Sequence, residues 1–211
     1  DISTTNGAIT LDTNNGTGGI VLGANLNAGT STVTLNSTDG AITRTAGVIT
    51  ANTLDATATA FGTNGNPIHA NVSDLTVNTQ AARGNQFILL PQGVSNLNLN
   101  ASPGKNITLE SEGAITDTNN TRNVVANQLS VTITGTGEGN FDFGTQEKPI
   151  SVRVNELSVD TSAQGGNQFI NEQDTLTALN LRANQGNITL ETGLTNNMNA
   201  SGKITDTDGA L

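Results

Sequence analysis

The chain has 211 residues and a net charge of −10, from 18 acids against 8 bases. That balance argues against nucleic acid and anionic membrane surfaces as partners, because both call for basic patches. Hydrophobic content is 34%, with no Cys, Trp or Tyr; this excludes disulfides and thiolate metal sites and argues against one large aromatic core. No apolar run approaches the roughly 20 residues that span a bilayer. Disorder needs high charge as well as low hydrophobicity, and charged residues are only 12%. A start at Asp1 without Met is expected of a processed or excised piece.

Residues 1–60 contain ITL, GIVL, TVTL, GAIT, GVIT and TLDATATA, separated by DTNNGTGG, NLNAGTS and NSTDG. The first set is rich in residues that fit a pleated surface. The second carries Gly, Asn and Asp, which set turns through positive φ and side-chain-to-backbone hydrogen bonds. No segment shows helical spacing of apolar residues, so essentially no α-helix is predicted.

Residues 61–101 read FGTNGNPIHANVSDLTVNTQAARGNQFILLPQGVSNLNLNA, and residues 143–183 repeat them as FGTQEKPISVRVNELSVDTSAQGGNQFINEQDTLTALNLRA. The offset, from Phe61 to Phe143, is 82 residues without a gap, which divides the chain into a long repeat over 61–142 and 143–211. KNITLE (105–110) returns as GNITLE (186–191), and GAITDT (113–118) as GKITDT (202–207). Throughout, Ile, Leu and Val alternate with polar residues, so one side of each strand faces inward. The expected core comprises Phe61, Leu75, Val77, Phe87, Leu97, Leu99, Ile107, Leu109, Phe143, Leu157, Val159, Phe169, Leu179, Leu181, Ile188 and Leu190. The four prolines fall at strand starts or in loops, where a missing N–H does no harm.

Two all-β architectures fit an 82-residue repeat: tandem immunoglobulin-like sandwiches, or a right-handed parallel β-helix with about four coils of about 20 residues per repeat. Short self-similar units such as LTVNT, LSVDT, LNLNA and LNLRA recur inside each long repeat, as stacked coils require. The β-helix is therefore the predicted fold: one segment over 1–211, about ten coils, and ~48 Å long at ~4.8 Å per coil. Asn and Thr at equivalent corners are expected to stack into hydrogen-bonded ladders.

The GNITLE, GKITDT and LTVNTQAARGNQF blocks resemble the repeat region of filamentous-haemagglutinin-type exoproteins, the secreted partners of two-partner secretion systems, and the repeats of giant bacterial surface adhesins. The resemblance is one of repeat style over nearly the whole chain; the family's amino-terminal NPNG-like turn is not found. It implies a right-handed parallel β-helix, export through an outer-membrane transporter barrel, and a secreted or cell-surface role as an adhesive or spacing fibre.

The candidate chemical sites are few. Asp12-Thr-Asn-Asn-Gly16, Asp117-Thr-Asn-Asn-Thr121 and Asp206-Thr-Asp-Gly209 place hard oxygen ligands on turns and make Ca²⁺ the one cofactor to weigh. They lack EF-hand spacing, and Asx turns account for them without a metal. His69 is the only histidine and sits at an outward position. Polysaccharide-cleaving β-helices cluster carboxylates, whereas Glu110, Glu112, Asp142, Glu156, Asp160, Glu172 and Asp174 are scattered. Thr32-Val-Thr34 and Thr132-Ile-Thr134 do not recur at the constant spacing an ice-binding face needs. GNQFI, at 84–88 and 166–170, is expected to place Phe87 and Phe169 in the core at a corner. The functional expectation is a non-catalytic extracellular fibre or stalk segment stacked on neighbouring repeats or identical chains. A glycan- or matrix-binding adhesin module is the alternative.

Overall fold

The computed structural model describes residues 1–13, 18–118, 123–136 and 138–192. Among them there is no helix. The strands follow in order: β1 (Ile2–Ser3), β2 (Ile9–Asp12), β3 (Ile20–Leu22), β4 (Leu26–Asn27), β5 (Thr32–Ser37), β6 (Ile42–Arg44), β7 (Ile49–Thr50), β8 (Thr53–Ala58), β9 (Ile68–Asn71) and β10 (Asp74–Asn78). They continue as β11 (Gln86–Leu90), β12 (Asn96–Asn100), β13 (Asn106–Ser111), β14 (Val124–Val125), β15 (Gln128–Ile133), β16 (Ile150–Arg153), β17 (Glu156–Asp160), β18 (Gln168–Glu172), β19 (Ala178–Arg182) and β20 (Ile188–Thr192).

Every strand pair is parallel, and partners are non-consecutive, so the chain winds as a β-solenoid of about eight coils. It has three faces. The first runs β1-β4-β7-β9, where β9 turns a corner, pairing through Ala70–Asn71 with β7 and through Ile68–His69 with β11 of the third face, and it is represented further on by the bridges Val94–Ile115–Phe143–Gln168. The second is the nine-stranded stack β2-β5-β8-β10-β12-β14-β16-β18-β20. The third passes from β3 and β6 through the bridges Ile42–Phe61–Gln86 into β11-β13-β15-β17-β19.

The core is a set of aliphatic columns. Leu54, Leu75 and Leu97 lie over one another on the second face, and Leu129, Leu157 and Leu179 on the third. Burying each such side chain contributes ~1.5–3 kcal/mol, and the contribution recurs at every coil. Ladders of polar side chains run up the corners, as the composition predicts. Asn155 Nδ2 donates to Asn127 Oδ1 at 3.0 Å, and Asn127 Nδ2 to Asn106 Oδ1 at 3.4 Å. A second ladder joins Asn52, Asp74, Asn96 and Thr118.

Three expectations are corrected. The 82-residue repeat is not four coils. On the second face Leu75 pairs with Leu97, Leu99 with Val124 and Val124 with Val152. Those coils lengthen from 22 to 25 and 28 residues, so the repeat covers three coils and about a third of a fourth. This also accounts for about eight coils rather than ten, with residues 193–211 outside the described set. Second, Phe87 and Phe169 are half-buried on the outside, while Gln86 and Gln168 are fully buried. The parity of β11 and β18 is fixed by Ile88, Leu90 and Ile170, which point inward. Third, Ile188 is 44% exposed, because β20 is the last described strand and pairs only with β18. Leu181 and Leu190 are partly buried against the core, and the other expected core residues are buried.

Candidate functional site

The repeated GNQFI segment builds a corner. Gln86 points into the core, and its Nε2 donates to Val77 O and to Thr79 Oγ1, both at 3.2 Å. Thr79 Oγ1 in turn donates to Gly84 O at 2.7 Å. In the second copy Gln168 Nε2 donates to Val159 O and Thr161 Oγ1 at 3.1 Å, and Thr161 Oγ1 to Gly166 O at 2.5 Å. A buried amide is tolerated where its N–H groups find partners, and Thr79 and Thr161, also fully buried, supply them. The signal in the sequence is the spacing Thr-x4-Gly-Asn-Gln.

The outer phenylalanines carry the other half of the corner. Phe87 N donates to Phe61 O, and Phe169 N to Phe143 O, both at 2.8 Å. Beside Phe87 a tight hairpin closes between Thr63 and Asn66; its equivalent closes between Thr145 and Lys148. Each hairpin leaves the strand through a left-handed glycine, Gly62 (φ 72°) and Gly144 (φ 80°). A Cβ at either position would sit 2.4 Å from the carbonyl oxygen of Phe87 or Phe169, so only glycine fits.

Glu172 is where the two copies differ chemically. It occupies the inward position held by Leu90 in the first copy, and both are fully buried. One carboxylate oxygen, Oε1, accepts from Asp174 N at 2.8 Å, while Oε2 is buried without a partner. Burial pushes the carboxyl up to about 7, against the opposing pull of backbone N–H groups at Asp174, Val154 and Gln173. Asp174 adds its own negative charge and is paired with Arg153 at 3.2 Å. That ion pair is half-exposed on both sides and contributes little.

Two of the remaining acids, Asp160 and Asp142, serve corners. Asp160 accepts from Ser162 Oγ at 2.6 Å and Ser162 N at 2.9 Å, and the hydroxyl hydrogen bond leads the causes that hold its carboxyl below the usual range. Asp142 accepts from Asn167 N at 2.6 Å. Glu110 pairs with Thr132 in the ladder and Asp160 with Thr132 and Arg182, so these acids share a column without converging on one point. His69 is half-buried on the outside of β9; burial, with Arg44 nearby, lowers its pKa. Of the candidate calcium turns, Asp12 accepts from Asn36 Nδ2 at 3.3 Å and Asp117 is 3% exposed. Residues 14–16, 119–121 and 206–209 lie outside the described set. Among the described residues no group of three His, Asp or Glu gathers at metal-binding distance.

Two surfaces remain as candidate contact sites. On the third face a shallow polar trough of ≈280 Å³ is lined by Gln128, Ser130, Glu156, Ser158 and Asn180 over Leu157 and Leu179. Among the described residues the first-coil strands β1, β2 and β3 are each paired on one edge only, with β4, β5 and β6. There Ile2 is 46% and Val21 66% exposed, and together with Leu11, Leu22 and Leu26 they line an apolar groove of ≈140 Å³. No family model matches the chain, and no curated protein or solved structure matches it either.

Proposed function

We propose that the chain is a rod segment of an extracellular fibre or stalk, of the kind found in bacterial surface adhesins and filament-forming exoproteins, and that it works without catalysis. The observation that carries this reading is the in-register stacking of coils: on every face each strand pairs with the strand one coil on, and aliphatic side chains lie over one another along the axis. Parallel edges are templates for further pairing, so neighbouring repeats or a second copy of the chain stacked on the coil of β1, β2 and β3 would cover Ile2 and Val21. The repeat-style resemblance to filamentous-haemagglutinin-type exoproteins supports a secreted, cell-surface location and export through an outer-membrane transporter. Solenoid coils contact only their neighbours, so length scales with coil number and a rod of any reach can be built.

The test is electron microscopy and sedimentation across a concentration series, with the wild-type chain and a Val21→Glu variant. The expected result is rods that lengthen end to end for the wild type and remain short for Val21→Glu. Compact particles of one size at every concentration would remove end-to-end stacking of copies from the proposal. The polar trough on the third face favours a second reading, a glycan- or matrix-binding module. Binding on a glycan array that is lost in a Ser158→Arg variant would move the assignment to it.

A further inference from the structure

We propose that Asn64–Gly65 is a self-modifying site, at which the chain converts its own asparagine into aspartate and isoaspartate. The pair is the tip of the hairpin beside Phe87. Thr63 and Asn66 exchange both backbone hydrogen bonds at 3.1 Å, which makes Asn64 and Gly65 the two central residues of the turn, and both are exposed. Among the described residues neither the Asn64 carboxamide nor the Gly65 amide takes part in a hydrogen bond. A Cβ at Gly65 would meet nothing within 4 Å, so no neighbour crowds the backbone nitrogen, and glycine is free to swing it toward the preceding side chain.

The chemistry needs only water. The deprotonated Gly65 nitrogen attacks Asn64 Cγ; an N–C bond forms, the Cγ–Nδ2 bond breaks, and ammonia leaves. The resulting succinimide is opened by water at either carbonyl, giving aspartate or its β-linked isomer. Nothing is oxidised or reduced.

The molecule contains its own comparison. Asn6–Gly7 has the same two residues, and Asn6 is also exposed. There, however, Asn6 Oδ1 accepts from Thr30 N at 3.0 Å, and Gly7 N donates to Thr4 Oγ1 at 3.1 Å. Electrophile and nucleophile are both held. The third such pair, Asn15–Gly16, lies outside the described residues. The product has a structural consequence. Asn64 borders a small recess with Pro67, Phe87 and Glu110, so conversion adds a carboxylate near one already present. The equivalent tip in the second copy, Gln146–Glu147, carries a carboxylate from the start.

The test is incubation of the purified folded chain at mildly alkaline pH, with peptide mapping by mass spectrometry and isoaspartate quantification over days. Expected are conversion at Asn64 severalfold faster than at Asn6, loss of that ratio in urea, and strong slowing in Gly65→Ala with an unchanged melting temperature. Conversion at Asn64 no faster than at Asn6 in the folded chain, or an undiminished rate in Gly65→Ala, would overturn the proposal.

Discussion

The two copies of the long repeat, 61–101 and 143–183, share most of their backbone, apart from a left-handed Gly93 (φ 80°) whose counterpart Thr175 is not left-handed, and have different surroundings. Left-handed residues recur in register: Gly62 and Gly144, Arg83 (φ 56°) and Gly165 (φ 68°), and, just past the repeated block, Ser102 (φ 75°) and Asn184 (φ 54°). Yet β10 lies on the second face and its counterpart β17 on the third; β11 lies on the third face, whereas β18 begins on the first, where Gln168 bridges Phe143, and runs into the second. The repeat therefore specifies a unit of strand, corner and hairpin, and leaves its face to the length of chain between copies. What a copy keeps is the inside of its corner, where Gln86 and Gln168 make the same two bonds to a strand carbonyl and a threonine hydroxyl, while Gln168 Nε2 also donates to Arg182 O at 2.8 Å. What it can change is the inward residue at the far end of the same strand, Leu90 in β11 against Glu172 in β18.

The sharpest break of this comparison separates inner from outer phenylalanine. Phe143→Ala, at a fully buried site, should cost about 3–5 kcal/mol. Phe169→Ala, on the outside, should cost about 1–2 kcal/mol, because less apolar area returns to water. Urea midpoints of the two variants decide it, and equal losses would contradict the assigned parity.

Next in size is the pH dependence that only the second copy carries. The folded Glu172 carboxyl titrates near 7, above its ordinary 4.5, so the folded state binds the proton more tightly. Its contribution is complete below 4.5 and is lost as pH rises through 7. The loss should be on the order of 3 kcal/mol. Solenoid coils open locally, so the protection of amides in β18 and β20, relative to their intrinsic exchange rate, should fall between pH 5 and pH 8, as the expected outcome of a titration monitored strand by strand. Glu172→Leu, which restores the residue of the first copy, should flatten that dependence.

Gln86→Ala should cost about 1–3 kcal/mol, since Val77 O and Thr79 lose their donor in a buried corner, and Gln168→Ala, which also strips Arg182 O of a donor, should cost at least as much. A smaller loss in Gln168→Ala than in Gln86→Ala, read from urea midpoints, would contradict that extra bond. The smallest effect concerns the left-handed position filled by Arg83 and Gly165. Gly165→Arg should destabilise by about 1 kcal/mol, and Arg83→Gly should shift stability by less than about 1 kcal/mol, because relief of strain is offset by the entropy of a free glycine.

Most of the fold was legible because a period of two is robust: LTV, LSV, LNL and ITL state which residues turn inward. Parity failed at QFILL, where four apolar residues in a row permit either reading, and at QFINE, where an inward Glu172 disguises the pattern. The Thr-x4-Gly-Asn-Gln spacing was available in the sequence, but a polar residue pointing inward is recognised only once its partners are placed. The coil count failed for another reason. Loops such as 144–149 lengthen a coil without disturbing its strands, so residue number is a poor ruler of height along the axis.

One consequence of the shift from second to third face concerns display. Any epitope recurring with the 82-residue period advances sideways by one flank at each appearance, and so threads around the shaft as on a screw. Successive copies would look out in three different directions before the fourth stood above the first, and an approaching surface would meet the same chemistry from any side.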